Sequence, residues 1–390
     1  MFTDSFSDRV KDLRAESAFE MLAKARRLES QGRDIIHLEI GEPDFRTPDH
    51  IVQAGMEAMR SGHTRYTQVS GMPQLKESIS TYVHRFKNVD VGPEGIVVVP
   101  GGKPIIFYTL LALVNEGDEV LCPNPGFPIY ENVIRYAGGI PVSMELKEEN
   151  DFRVDLDDLR RKLSPKTKLM ILNSPANPTG GVLTGEDIRS IADMIAGKGI
   201  FVLSDEIYDR ICYDSKPVSM ATIPEMKDHT IILDGFSKTY SMTGWRLGYG
   251  VMEPRLADRV SKLIVNSVSC TAAFVQMAGK TALDGPQDSV DEMVAEYRAR
   301  RDMLVEGLNS IPGISCIMPQ GAFYAFPNIK AIGMDSNRFA EHLLEHAGVA
   351  VLSGTAFGSC GEGYVRLSYA NSMENLKRTV ERIAKAVQTI

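Results

Sequence analysis

The chain has 390 residues, 43% of them hydrophobic, and carries 43 Lys and Arg against 51 Asp and Glu, a net charge of −8. This composition excludes a disordered chain, and the acidic balance excludes a general attraction to nucleic-acid backbones or anionic lipid. The length predicts two domains, or one large domain with a smaller one appended.

Taken from the start, "MFTDSFSDRVKDLR" is polar and charged, which does not match a secretory signal and points to a cytoplasmic protein. Ser17-Ala-Phe-Glu20 has the spacing of a capping box, and Gly32 is placed to stop the helix that it would open. The longest apolar run, 105–114, is half of the roughly 20 residues a bilayer requires, so no membrane span is expected. The 5 cysteines are widely spaced without a CxxC pair, as reduced thiols are.

Between residues 95 and 270, short apolar runs alternate with amphipathic stretches such as 155–163 and 185–197. The runs are "IVVV" (96–99), "EVLC" (119–122), "IPVSMEL" (140–146), "KLMIL" (168–172), "IFVLS" (200–204), "TIILD" (230–234) and "RLGYGVM" (246–252). Several are continuously apolar, the signature of strands covered on both faces, and the alternation predicts a mostly parallel, doubly wound, seven-stranded α/β sheet. A long charged helix over 286–310 follows. Strand-like "GAFYAF" (321–326), a helix over 336–347, strand-like "YVRLSYA" (364–370) and a terminal helix from about 372 then predict a smaller α+β domain. The division expected is 46–284 for the large domain, with 1–45 and 285–390 forming the small one. The basic cluster "LRRKLSPKTKL" (159–169) reads as a solvated helix end. His342 and His346 have metal-ligand spacing but lack a third ligand nearby, so no metal site is expected.

In open α/β sheets ligands bind beyond the carboxyl ends of the strands, and four runs end there in polar residues. "VVVP" leads into Gly101-Gly102-Lys103-Pro104, a turn whose glycines admit a ligand and whose following helix start can hold a phosphate, though it is neither GxxxxGK[ST] nor GxGxxG. "LMIL" leads into "NSPANPTG" (173–180). "FVLS" ends in Asp205, a carboxylate that must be paired where it stands; a salt bridge would satisfy it, and so would a protonated ring nitrogen. "IILD" leads into Ser237-Lys238, where a desolvated amine could form a Schiff base with an aldehyde, and Arg246 could meet a phosphate with its fork of donors. A phosphate turn, an acid for a ring nitrogen, a lysine for an aldehyde and an arginine for phosphate are the set that pyridoxal 5′-phosphate needs.

With "GEPDF" (41–45), Tyr66, "GGK" (101–103), "NSPANPTG", "SDEIY" (204–208), "SKTYSMTGWRLGY" (237–249) and "VRLSYA" (365–370), nearly the whole chain resembles the class I aminotransferases, fold type I pyridoxal-phosphate enzymes, and most closely their prokaryotic aspartate and broad-specificity branch. The resemblance implies that Lys238 carries the cofactor and shuttles the proton, that Asp205 partners the pyridine nitrogen, and that Tyr208 and Asn177 hydrogen-bond the ring hydroxyl. Gly102, Lys103, Ser237 and Arg246 would hold the phosphate, joined by Tyr66 from the other subunit of a homodimer with shared active sites. Phe127 would stack on the ring, and Arg366, with Gly41 and Asn177, would take the substrate α-carboxylate. The implied reaction is ping-pong transfer of an amino group from an L-amino acid, aspartate first, to a 2-oxo acid such as 2-oxoglutarate. Aromatic or alanine aminotransferase and a carbon–sulfur β-lyase on the same scaffold are the alternatives, and Arg46 is a candidate reader of the side chain.

Overall fold

The structure, a computed structural model, describes residues 7–11, 13 and 17–390. Seven strands form its central sheet: β1 Ile96–Val99, β2 Glu119–Asn124, β3 Ile140–Glu145, β4 Thr167–Asn173, β5 Phe201–Asp205, β6 Thr230–Gly235 and β7 Gly248–Val251. They lie in the order β1-β7-β6-β5-β4-β2-β3, parallel throughout except for β7, which runs antiparallel to both its neighbours. Each strand coincides with a predicted run to within two residues at either end, and the sheet is the expected seven-stranded, mostly parallel, doubly wound arrangement.

The apolar runs are continuous because both faces are covered. Val97 and Val99 pack with Ile105 and Val260 from the helices Lys103–Leu113 and Pro254–Val265, whereas Ile96 and Val98 pack with Leu75, Ile79 and Ala278 from Pro73–Lys87 and Ala273–Asp284. A polar side chain on these strands is therefore tolerated chiefly at their ends. Register aligns those ends: Asn173 stands opposite Asp205, and Asp205 opposite Leu233. At the sheet edge Val99 pairs with Gly248, which brings the turn after β1 against the segment entering β7.

The helix Asp288–Asn309 leads to a second unit. There, strands Leu352–Ser353, Val365–Ser368 and Tyr324–Ala325 make a three-stranded antiparallel sheet. The N-terminal segment joins it, with Ile36–His37 pairing in parallel with Val349–Ala350 and Ser368 N donating to Leu38 O. The terminal helix Met373–Val387 is capped by Ser372, whose Oγ accepts from Asn375 N. The helix Ser17–Ser30 is already formed at Ser17, so Ser17 is not its N-cap; the residues that would cap it, 14–16, lie outside those described. Gly32 ends that helix at φ +86°.

The basic cluster proves locally neutralised, since Arg160, Arg161 and Lys162 pair with Asp157 and Asp158 on their own helix. The rings of His342 and His346 stack at 4.4 Å. No helix among the described residues is long and apolar enough to cross a membrane.

Candidate active site

The carboxyl ends of β4, β5 and β6 open into a cavity of about 390 Å³. Gly41, Gly102, Lys103, Phe127, Asn177, Asp205, Tyr208, Ser237, Lys238, Arg246 and Arg366 all line it. The one expected site residue that does not is Tyr66, which is 89% exposed on the surface of its own chain. Arg46 is also outside; it lines a neighbouring open groove with Thr47 and Trp245.

Lys238 does not end β6 itself but sits in the short helix Phe236–Thr239 that follows it. Its Nζ donates to Gly41 O at 2.5 Å and lies 5.8 Å from the centre of the Tyr208 ring. Burial, reinforced by Arg366, Lys103 and Arg246 and opposed by Glu42, lowers the amine from its usual 10.5 to about 8. About a tenth of the amine is then neutral at pH 7, roughly 300 times the neutral fraction of an ordinary lysine.

Asp205 is buried at the head of β5. Its Oδ2 accepts from Tyr130 Oη at 2.6 Å and its Oδ1 from Ile207 N at 3.3 Å. Burial raises its carboxyl from 3.8 to about 6 in spite of these donors. It is still mostly ionised at neutral pH, and a cationic ring N–H entering the cavity would replace the lost solvation.

The turn after β1 explains its glycines. Gly101 has φ +88°, and a Cβ there would run into the Arg246 guanidinium. Arg246 is itself left-handed at φ +55°, so β7 begins at Gly248 instead of at 246 as the apolar run suggested. The strained conformation turns its guanidinium back toward the glycine turn, with Nη1 donating to Thr243 O at 2.7 Å. Lys103 opens the helix Lys103–Leu113, and its Nζ lies 5.3 Å from the centre of the Phe127 ring.

Across the cavity Arg366 is buried, against the outward position that an exposed, alternating strand would give it. Its Nη1 donates to Asn177 Oδ1 at 3.4 Å, its Nη2 donates to Glu39 O, and its guanidinium lies over Tyr324 at 4.6 Å. Asn177 is held by its own N donating to Asn173 Oδ1 at 2.9 Å, and Asn173 Nδ2 donates to Asp205 O at 3.1 Å. Tyr208 and Tyr324 share a hydroxyl hydrogen bond at 2.7 Å, and burial first, then Tyr324, pushes the Tyr208 phenol well above its usual range, so it stays a neutral donor.

Two residues of the site, Tyr130 and Tyr324, carry no signal in the sequence. They occupy ordinary apolar-patterned positions, whereas Asn173 ends β4 where its apolar run stops.

Four cations, Lys103, Lys238, Arg246 and Arg366, thus line the cavity with Asp205 and Glu42. Such a site suits a ligand with a phosphate at the glycine turn, a protonated ring nitrogen at Asp205, an aldehyde at Lys238 and a carboxylate at Arg366.

The family model described as aminotransferase class I and II matches residues 33–383. A probable aspartate/prephenate aminotransferase of Aquifex aeolicus is 41% identical, the alignment covering 98% of this chain and 99% of that protein. An aspartate aminotransferase of Geobacillus stearothermophilus is 38% identical over 97% of this chain and 98% of its own. Among solved structures, the aspartate aminotransferase from Thermus thermophilus with maleate superimposes with a TM-score of 0.94 at 35% identity, covering 98% of this chain and 100% of that one.

Proposed function

Because the chain belongs to the class I and II aminotransferases, we propose that it moves the α-amino group of aspartate to 2-oxoglutarate. It is a transaminase that depends on pyridoxal 5′-phosphate. The observation that carries the assignment is the buried Lys238 amine, lowered to about 8, in one cavity with Arg366 and the Gly101–Arg246 turn.

When bound, the cofactor supplies an aldehyde for the amino group and a ring that takes up the electron pair of the substrate's α-carbon. Lys238 would hold the aldehyde, and its amine would carry the proton taken from the substrate's α-carbon. Asp205 would accept the ring N–H and keep the ring cationic. Tyr208 and Asn177 would donate to the ring hydroxyl. Gly102, Ser237, Lys103 and Arg246 would hold the phosphate, and Phe127 would stack on the ring. Arg366 binds the α-carboxylate with its fork, and Asn177 and Gly41 complete that end.

Dicarboxylic substrates are favoured because the relatives bear aspartate in their names and the Thermus thermophilus neighbour was solved with maleate, a dicarboxylate. Residues 46–284 would serve as the large cofactor-binding domain, and 1–45 with 285–390 as the small one. Two bonds that cross this division, Lys238 to Gly41 O and Arg366 to Asn177, support an active site between the two. The exposure of Tyr66 supports a homodimer in which that residue reaches the partner's phosphate site. The free cysteines among the described residues support a reducing, cytoplasmic compartment.

The test is single-turnover mixing of the purified enzyme with individual amino acids, following absorbance as the cofactor passes to its pyridoxamine form. Aspartate and glutamate are expected to convert it fastest. Faster conversion by tyrosine, phenylalanine or alanine would overturn the dicarboxylate assignment.

A further inference from the structure

Tyr130 stands in the second position of the helix Ile129–Tyr136, 2% exposed, and no ring-hydroxyl, phosphate or carboxylate role falls to it. Its hydroxyl is nonetheless 2.6 Å from Asp205 Oδ2, the shortest side-chain bond that this carboxylate makes. Its ring meets Phe127 edge-on, with centroids 5.8 Å apart at 88°. One residue therefore ties the carboxylate at the head of β5 to the ring that lines the cavity above it.

We propose that Tyr130 is a positioning residue that holds Asp205 ionised and oriented, so that the carboxylate accepts the N–H of the cofactor ring. The inference rests on the assignment of Asp205 to the ring nitrogen. Tyr130 on Oδ2 and Ile207 N on Oδ1 fix the plane of the carboxylate from two sides. The remaining charged or titratable groups that face it are Glu206, which disfavours its ionisation, Lys238, which favours it, and the neutral phenol of Tyr208. Of the interactions that oppose the burial of Asp205, the Tyr130 hydrogen bond is the largest. Without it the carboxyl would hold its proton at neutral pH and present a donor where the ring N–H requires an acceptor.

Tyr130→Phe tests this, because it keeps the buried ring and removes only the hydroxyl. With cofactor labelled with ¹⁵N at the ring nitrogen, the wild-type holoenzyme is expected to show a protonated-nitrogen chemical shift across pH 6–8. Tyr130→Phe is expected to move that shift toward the neutral value and to weaken cofactor binding to the apo-protein at least tenfold at pH 7. Asp205→Asn and the double variant complete the cycle: once Asp205 cannot ionise, Tyr130→Phe should change the affinity by less than about twofold. An unchanged ¹⁵N shift in Tyr130→Phe, or a tenfold loss that persists in the Asp205→Asn background, overturns the proposal. If Asp205→Asn itself leaves the shift at the wild-type value, the assignment of Asp205 has failed instead, and the proposal with it. Should Tyr130→Phe not fold, replacement of Tyr130 by 3-fluorotyrosine, a stronger donor of nearly the same shape, is read the same way; it is expected to tighten binding, and no change overturns the proposal.

Discussion

Replacing Lys87 with methionine is expected to destabilise the protein by about 3–5 kcal/mol, although Lys87 does not line the cavity. Its Nζ stands 3.0 Å from Glu206 Oε2 and 3.0 Å from Asp234 Oδ2 and also bonds Asp209, and all four side chains are buried. Burial alone would lower the Lys87 amine, but the carboxylates of Asp209, Asp234 and Glu206 outweigh it and hold the amine well above its usual range. At an effective dielectric constant near 20, a charge pair at this separation attracts by about 5 kcal/mol, of which desolvation offsets a large part. Ser204 and Ser219 donate to Glu206, and Tyr249 donates to Asp234, but hydroxyls do not replace a cation. Methionine fills a similar volume and leaves the carboxylates without their counter-ion. The consequence should reach the site, because Glu206 adjoins Asp205 and Asp234 lies in β6, whose end leads directly into the Lys238 helix. Equilibrium urea unfolding of the apo-protein by circular dichroism measures the loss. The sign of its pH dependence is also set. Burial already raises the Asp234 carboxyl, and loss of Lys87 raises it further, so the folded variant binds protons that the unfolded chain does not. The deficit should therefore shrink as pH falls toward about 7, where the wild-type Asp234 carboxyl takes up its own proton, by up to about 1.4 kcal/mol per unit, and level off below that. A loss below about 1 kcal/mol, or a deficit that does not change with pH, would refute the reasoning and mean that water, not Lys87, satisfies these carboxylates.

Uptake of pyridoxal 5′-phosphate by the apo-protein, followed by stopped-flow absorbance, is expected to quicken about tenfold per pH unit and to level off above about pH 8, where Lys238 becomes neutral. A rate still climbing toward pH 10.5 would show an ordinary, solvated lysine. Mixing Lys238→Ala with a severely impaired Tyr66 variant under confirmed subunit exchange is expected to restore activity, because the heterodimer regains one site with an intact Lys238 from one chain and an intact Tyr66 from the other. No recovery would place Tyr66 in its own subunit's structure and remove it from the site.

The cofactor end of the cavity is legible in the sequence for a physical reason. A strand covered on both faces leaves no room for polar side chains along its length, so Asn173, Asp205 and the Lys238 segment stand out where the apolar runs stop. Arg246 is partly disguised, because a run counted by hydropathy absorbs it into β7 and hides the left-handed turn that it needs to reach the glycine turn. Tyr130 is illegible for the opposite reason: a tyrosine on the inner face of an amphipathic helix carries the same pattern whether its hydroxyl bonds Asp205, 75 residues on, or nothing. Lys87 is harder still. A lysine in the last turn of a helix reads as a favourable partner for the helix dipole, and its bond to Asp209 spans 122 residues. Periodicity reports which way a side chain faces, and only the fold reports what it meets there. Asp205 and the Lys238 segment are thus announced by their break in the apolar pattern, while Tyr130 and Lys87, which hold their surroundings in place, lie inside it.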